Sequence, residues 1–319
     1  MKVVITGRNF SGKDGAGLVM LQAAGLEVVD YSDRDFGTGT SEQVVREAVA
    51  DADIAIAGLE PYSRLVIESC PNLKMISRRG IGYDNVDLAA CREGGITVLR
   101  TAGKVEGAVA EHVLAYILYM ARRVDLQSAA MHDGKWQRVM MPGAKNRVLG
   151  LVGFGGIGKE IAKRATAFGM QVVYNCRHPK EEWEQEYQVK YLPLEELLQV
   201  SDYVSLNVPL TESTRGLINK ERLALMKKGS VLINIARGPV AQEAAIKEAL
   251  ESGHLAGACI DVFDKEPCTD SLLVGVKNAL LTPHTAPFTS ENFAEMNLCA
   301  ASNVLDYLAG QVKDSMVVR

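Results

Sequence analysis

Much is missing from this 319-residue chain, and each absence narrows what it can be. Its six cysteines (Cys70, Cys91, Cys176, Cys259, Cys268 and Cys299) form no C-x-x-C pair and no small-scaffold spacing. That excludes a disulfide framework and fits reduced thiols in a cytoplasmic protein. No block of like charge and no low-complexity tract occurs, and the formal net charge is −4. Nucleic acid and anionic membrane are therefore poor main partners. No apolar run is long enough to span a bilayer of ~30 Å hydrocarbon. The most apolar stretch, Ala108–Ala121 (AVAEHVLAYILYMA), carries Glu111 and His112 and reads as a buried helix. Met1-Lys2-Val3 leads into no apolar signal core, so no export signal is expected. His112, His132, His178 and His254 have no partner at metal-ligand spacing, and no metal is expected.

What is present is alternation. Short apolar runs at Lys2–Thr6, Glu27–Tyr31, Asp53–Ala57, Lys74–Ser77 and Thr97–Leu99 read as strands. Helical patterns lie between them near Gly15–Ala24, Glu42–Ala50 and Tyr62–Ser69. Gly25 sits where a helix C-terminal glycine belongs. The alternation then restarts with VLGLVG, QVVYN, DYVSLNV, SVLINI, AGACIDV and NALLTP. Two runs of βα units imply an α/β protein with two parallel sheets. The stretch Ser290 to Gly310 reads as one long helix, capped by Ser290 and ended by Gly310.

Two glycine loops compete as the nucleotide site. The opening GRNFSGKD is one residue short of the P-loop G-x-x-x-x-G-K-[ST]: Asp14 stands where a hydroxyl would ligate Mg²⁺. It reads better as a βα turn with a helix starting near Asp14. The second loop, Gly153-Phe154-Gly155-Gly156-Ile157-Gly158, is G-x-G-x-x-G between a strand, Val148–Val152, and a helix with Ile161, Ala162 and Ala165 on one face. Gly153 permits the tight turn, Gly155 lets backbone approach a pyrophosphate, and Gly158 lets the helix pack on the strand. The pyrophosphate would lie on free N–H groups at the helix N-terminus. The next strand should end in an acid that grips the ribose 2′-OH, but it reads QVVYNCRHP. With no acid there and Arg177 able to pair with a 2′-phosphate, NADP is favoured over NAD.

Three later segments end strands of the second run and so open onto the cofactor side. They supply Arg237 (NIARGPV), Asp261 and Glu266 (GACIDVFDKEP), and His284 (LLTPHTAPFT). Such a set suits hydride transfer at a carbonyl. A histidine can protonate the oxygen on which charge develops. A neighbouring carboxylate favours the protonated ring and orients it, and an arginine holds an anionic substrate by two points. Singly, each residue also reads as an ion pair, a solvated acid or a satisfied loop histidine.

Together with the glycine loop, these segments resemble one family, the D-isomer-specific 2-hydroxyacid dehydrogenases, which includes phosphoglycerate dehydrogenase, glyoxylate/hydroxypyruvate reductase and formate dehydrogenase. The resemblance runs through RRGIGYDNVDL, AVAEHVLAYIL, DGKW, GLVGFGGIGKEIA, LNVPLTESTRGLI, NIARGPV, AGACIDVFDKEP and LTPHTA, nearly the whole chain. It implies a Rossmann-type NAD(P)-binding domain at 101–286. It also implies a discontinuous, flavodoxin-like substrate domain, 1–100 and 287–319, with a cleft between the two. By the same resemblance Arg237 binds substrate, Glu266 partners the histidine and His284 is the acid/base. Asp261 and Ala236 lie by the nicotinamide, Pro209 and Thr214 run along the cofactor, and the backbone of Ile81 and Gly82 holds the substrate carboxylate. A homodimer built around Ala108–Ala121 is implied as well.

Departures from the family pattern cluster near the site: Val105 for an Asn, Thr101-Ala102, Pro239, Gln242 and PHTAPFT. They touch substrate identity and leave Arg237, Glu266 and His284 in place. The expected function is thus an NAD(P)-dependent oxidoreductase acting on a small anionic 2-hydroxy or 2-oxo acid. Phosphoglycerate oxidation and glyoxylate or hydroxypyruvate reduction both stay open, since Arg78 and Arg79 read either as phosphate holders or as surface charge. The alternative from another class is a non-catalytic, dinucleotide-sensing corepressor.

Overall fold

The computed structural model describes residues 1–10, 15–34 and 36–318. Ser11, Gly12, Lys13 and Asp14, on which the P-loop comparison turns, lie outside the described residues. The chain divides into two compact units, Met1–Val105 with Pro287–Arg319, and Glu106–Ala286.

The first unit is built on β1 (Lys2–Ile5), β2 (Glu27–Asp30), β3 (Ile54–Ala57), β4 (Met75–Arg78) and β5 (Thr97–Arg100). They pair in parallel in the order β2-β1-β3-β4-β5. The order reverses between β1 and β3, the place where such sheets offer a ligand crevice at their C-terminal ends. Successive side chains of a strand face opposite ways, and here both faces are buried. Val4, Ala55, Ala57, Ile76 and Val98 pack with helices α2 (Glu42–Val49), α3 (Arg64–Glu68) and α4 (Leu88–Glu93). Val3, Ile5, Ile54, Ile56, Met75 and Leu99 pack with α1 (Ala16–Ala23) and the C-terminal helix Ser290–Leu308. This double burial explains why these strands read as continuous apolar runs and not as alternating ones.

Local signals mostly hold. Gly25 takes φ +74 just past α1, a left-handed conformation that costs a glycine little. The C-terminal helix differs in its cap: Thr289, not Ser290, accepts from the Asn292 N–H at 3.1 Å, and Ser290 is the first helical residue. Helix α4 escaped the sequence reading because its six residues, LAACRE, are too few to display a period. The surface-charge reading of Arg78 and Arg79 fails, since both are buried. Arg78 donates to the Arg79 carbonyl and Asn85 Oδ1. Arg79 donates to Asn297 Oδ1 at 3.0 Å and lies over the Phe293 ring. Burial, helped by the Arg78 charge and opposed by that of Glu60, lowers the Arg79 guanidinium to about 10.

The second unit carries β6 (Val148–Val152), β7 (Gln171–Asn175), β8 (Val189–Tyr191), β9 (Tyr203–Leu206), β10 (Ser230–Asn234), β11 (Leu255–Ile260) and β12 (Ala279–Leu281). Their order is β12-β11-β10-β9-β6-β7-β8, all parallel, with the reversal between β6 and β9. Edge strand β8 was not foreseen; three residues, with Lys190 exposed, leave no pattern. Helix α5 (Glu106–Arg122) packs against α7 (Gly156–Ala167), the intervening α6 being Val124–His132. The apolar stripe of α5 (Val109, Val113, Leu114, Tyr116, Ile117, Met120) is buried. Helices α8 (Glu181–Tyr187), α9 (Leu194–Val200), α10 (Lys220–Leu225) and α11 (Glu243–Glu251) complete the unit. Among the described residues no helix is long and apolar enough to cross a membrane, and no group of metal-ligating side chains gathers.

Candidate active site

The glycine loop follows β6 directly, beside the reversal point of the second sheet. Its glycines answer to different constraints. Gly153 has φ +100, and a Cβ on it would lie 2.6 Å from the Asn207 carbonyl oxygen. A Cβ at Gly158 would lie 2.6 Å from the Gly153 carbonyl oxygen, so this position is kept bare by contact between turn and helix. Gly155 has neither reason. Its backbone is extended, φ −84 and ψ −160, and a Cβ there would meet nothing within 4 Å. The space over Gly155, at the N-terminus of α7, is the cradle a pyrophosphate needs. Gly156 and Ile157 open the helix. The residues therefore fit a dinucleotide. Gly155→Ala is expected to leave the melting temperature unchanged while weakening dinucleotide binding. An unchanged dissociation constant, read by quenching of bound reduced nicotinamide, would remove this assignment.

Strand β7 ends at Asn175, whose Nδ2 donates to the Leu192 carbonyl at 2.9 Å. Arg177, two residues on, is exposed. Thr214 Oγ1 donates to the Pro209 carbonyl at 2.6 Å and accepts from the Thr211 N–H at 2.8 Å, closing the turn after β9.

Arg237, Asp261, Glu266 and His284 all follow the C-terminal ends of neighbouring strands β10, β11 and β12. After β10, Asn234 shapes the turn: its Oδ1 accepts from the Ala236 N–H at 3.1 Å and its Nδ2 donates to the Arg237 carbonyl at 3.0 Å. Ala236 is buried, and the Arg237 side chain is half-buried. After β11, the Phe263 N–H donates to Glu266 Oε1 at 3.0 Å, and Glu266 Oε2 meets His284 Nδ1 at 2.7 Å. The two side chains are only 15% and 20% exposed, so water screens their contact weakly. Burial opposes ionisation of Glu266. The hydrogen bond and charge of His284, the Phe263 N–H and the Arg237 charge outweigh it, and the carboxyl is held below its ordinary 4.5. With Nδ1 engaged, His284 keeps Nε2 for a second partner.

His284 takes φ +54, a left-handed conformation unusual for a side-chain-bearing residue. Its N–H bonds the Asp261 carbonyl at 2.8 Å. The Asp261 carboxylate, 1% exposed, accepts from Thr282 Oγ1 at 2.5 Å, the Thr285 N–H at 2.8 Å and the Ala286 N–H at 2.9 Å. His112, read from sequence as an ordinary helix residue, faces this cluster from α5. Its Nε2 is 3.5 Å from Thr282 Oγ1 and 3.9 Å from Asp261 Oδ1. The only hint in the sequence was a histidine on an otherwise apolar helix face. Ile81 and Gly82 belong to the first unit, in the loop after β4; there the Gly80 N–H bonds Thr101 Oγ1 at 2.8 Å, so Thr101 helps set that loop.

The chain is similar to known proteins in sequence and in fold. Residues 114–286 match the model of the D-isomer specific 2-hydroxyacid dehydrogenase NAD-binding domain. A glyoxylate reductase of Korarchaeum cryptofilum is 37% identical over 285 residues, 87% of this chain and 86% of its own. A hydroxypyruvate reductase of Thermotoga maritima is 42% identical over 232 residues, 71% and 74% of the two chains. A crystal structure of a Thermus thermophilus protein superposes with a TM-score of 0.87 at 37% identity, covering 100% of both chains. A match over more than half the chain, together with relatives above 30% identity across most of it, shows that this protein belongs to the D-isomer-specific 2-hydroxyacid dehydrogenases, an NAD(P)-dependent oxidoreductase family.

Proposed function

We propose that the protein reduces a small anionic 2-oxo acid to the D-2-hydroxy acid, of the glyoxylate or hydroxypyruvate kind, with Arg237, Glu266 and His284 as its chemical residues. The observation that carries this is the half-buried Glu266–His284 pair at 2.7 Å, on strand ends of the sheet that also bears the glycine loop. A nicotinamide held at the glycine loop would supply the hydride that the substrate carbonyl carbon takes up. Negative charge then develops on the carbonyl oxygen, and His284 Nε2 delivers the proton that quenches it. Glu266 accepts from Nδ1, holds the ring in the orientation that presents Nε2, and stabilises the imidazolium. Arg237 holds the substrate carboxylate through a charge-assisted contact. Within the first unit, the loop at Ile81 and Gly82 offers backbone N–H groups of the kind that hold a carboxylate. Ala236 and Asp261 would hold the nicotinamide end of the cofactor, and Pro209 and Thr214 the rest of the dinucleotide. Arg78 and Arg79 are engaged within the first unit, which favours a substrate without a phosphate over phosphoglycerate.

NADP is the proposed cofactor, because β7 ends without a carboxylate and Arg177 stands exposed beside that end. Losing a charge-assisted contact of ~1.5–3 kcal/mol means a roughly tenfold to hundredfold weaker complex. Arg177→Ala is therefore expected to weaken NADPH by that factor and to leave NADH almost untouched. A screen of 2-oxo acids with both cofactors tests the whole reading. Wild-type preference for NADH would sink the NADP assignment, and absence of turnover with every acid would sink the reductase.

The protein is proposed to be a cytoplasmic homodimer. The apolar surface that favours pairing lies beyond α5: Val124, Leu126 and Met131 on α6 are exposed, as are Trp136 at 76% and Met140 at 97%. Exposed apolar surface of this extent marks an interaction site. Sedimentation at micromolar concentration should give twice the chain mass, and a monomer would contradict the proposal.

A further inference from the structure

We infer that Glu106 sets the affinity of the dinucleotide site by like-charge repulsion: its carboxylate stands against the glycine loop and loosens a cofactor held there. This rests on the proposed reading of that loop as the dinucleotide site.

Glu106 is the first residue of α5 and Gly156 the first of α7, both within the second unit. A Cβ on Gly156 would lie 2.8 Å from Glu106 Cγ and 3.0 Å from Glu106 Oε1. The glutamate side chain therefore fills the space beside Gly156. Glu106 is half-buried, whereas Gly155 and Gly156 are exposed. Of two successive loop glycines, Gly155 opens onto unfilled space and Gly156 onto a carboxylate.

A carboxylate is a costly neighbour for a pyrophosphate. The free N–H groups and the dipole at the start of α7 attract negative charge. Glu106 uses that same field in the free protein and repels phosphates that come to it. The basic side chains of α7 are engaged along the helix. Lys159 Nζ lies over the Trp183 ring at 4.1 Å, and Lys163 and Arg164 both bond Glu160, at 2.8 and 2.6 Å. Oxidised and reduced dinucleotides carry the same pyrophosphate, so the repulsion loosens both alike. It speeds cofactor exchange without favouring either direction of the reaction.

Glu106→Gln keeps the size of the side chain and removes its charge. At low salt the dissociation constants of NADPH and of ADP-ribose should both fall roughly tenfold, equivalent to ~1.4 kcal/mol. ADP-ribose has the pyrophosphate but no nicotinamide, so an equal gain places the effect at the phosphates. The gain should shrink at about 1 M salt, where screening acts within about 3 Å. Most of it should appear as slower dissociation. Without ligand, the variant should melt no higher than wild type, because a favourable charge at two helix N-termini is lost. Free protein and complex thus respond differently, which a merely structural glutamate would not produce. Glu106→Lys, which reverses the charge, should tighten both ligands further.

The measurement is the dissociation constant and dissociation rate of NADPH and ADP-ribose against salt for wild type and both variants, with their ligand-free melting curves. Unchanged or weaker binding by folded Glu106→Gln overturns the inference, and so does a gain that persists undiminished at high salt. Should Glu106→Gln fail to fold, Glu106→Lys decides by the same readings. Weaker binding in Gly155→Ala beside unmoved Glu106 variants overturns the inference alone. Unchanged binding in Gly155→Ala and in the Glu106 variants overturns the dinucleotide reading of the loop as well.

Discussion

His284→Ala is expected to slow 2-oxo acid reduction by roughly 10²–10⁴-fold, the usual share of general acid–base catalysis, with dinucleotide affinity nearly unchanged. The imidazole is bonded to Glu266 and belongs to the loop after β12, whereas the glycine loop follows β6. The two functions should therefore separate in the measurement. Glu266→Gln tests the other half of the pair. The amide keeps the shape and can still accept from Nδ1, but without its charge the imidazolium loses its partner. Turnover should fall by less than His284→Ala gives, with dinucleotide affinity again nearly unchanged.

The acid side follows from Glu266 itself. Its folded pKa is depressed, so the pair's contribution is present above the unfolded value and is lost as pH falls through the folded one, which lies below 4.5. Reduction should consequently persist into mild acid and fail only below the ordinary glutamate range. Loss of activity well above pH 4.5 with the protein still folded would contradict the pairing, and so would near wild-type turnover by His284→Ala.

How much of this was legible in the sequence depends on the range of each interaction. The sheets were readable because both faces of their strands are buried, as at Val3, Val4 and Ile5, so each strand shows as an apolar run between turn residues. The glycine loop was readable because its constraints are local: Gly153 and Gly158 crowd each other within a single turn. Strand β8 and helix α4 are too short to carry a period, and the Thr289 cap differs from the expected Ser290 by one residue, which only the geometry of the Asn292 N–H decides. The pairing of Glu266 with His284 was reached through family resemblance and not from spacing, because it joins residues 18 apart across two strand ends. The approach of His112 to Asp261 spans the chain from α5 to β11 and left no trace beyond one histidine on an apolar face. Arg78 and Arg79 misled for the same reason. Their partners Asn85 and Asn297 are polar residues whose neighbours cannot be read from sequence, and Asn297 lies 218 positions from Arg79.

Gly238→Ala should be the most damaging single-carbon addition in the second unit. Gly238 follows Arg237 and is buried. A Cβ on it would fall inside the backbone of Phe263 and Asp264, against the Phe263 carbonyl and the Asp264 nitrogen. Backbone cannot swing aside as a side-chain end can, so the turn after β10 and the loop after β11 must part. Overpacking of this kind costs about 1–3 kcal/mol, and more where backbone is the obstacle. The loop that moves carries the Phe263 N–H, which holds Glu266 at 3.0 Å, and the turn that moves carries Arg237. One methyl group therefore disturbs both the substrate arginine and the histidine's partner. A displacement of about 1 Å would cost on the order of 10² in kcat/KM beyond any loss of folded protein. Gly155→Ala is the matched control, since its Cβ enters open space and should affect only the dinucleotide. Melting curves and kcat/KM for the two variants should consequently diverge: Gly238→Ala loses stability and chemistry together, Gly155→Ala loses cofactor affinity alone. Wild-type stability and kcat/KM in Gly238→Ala would mean that the two loops are not coupled through this contact.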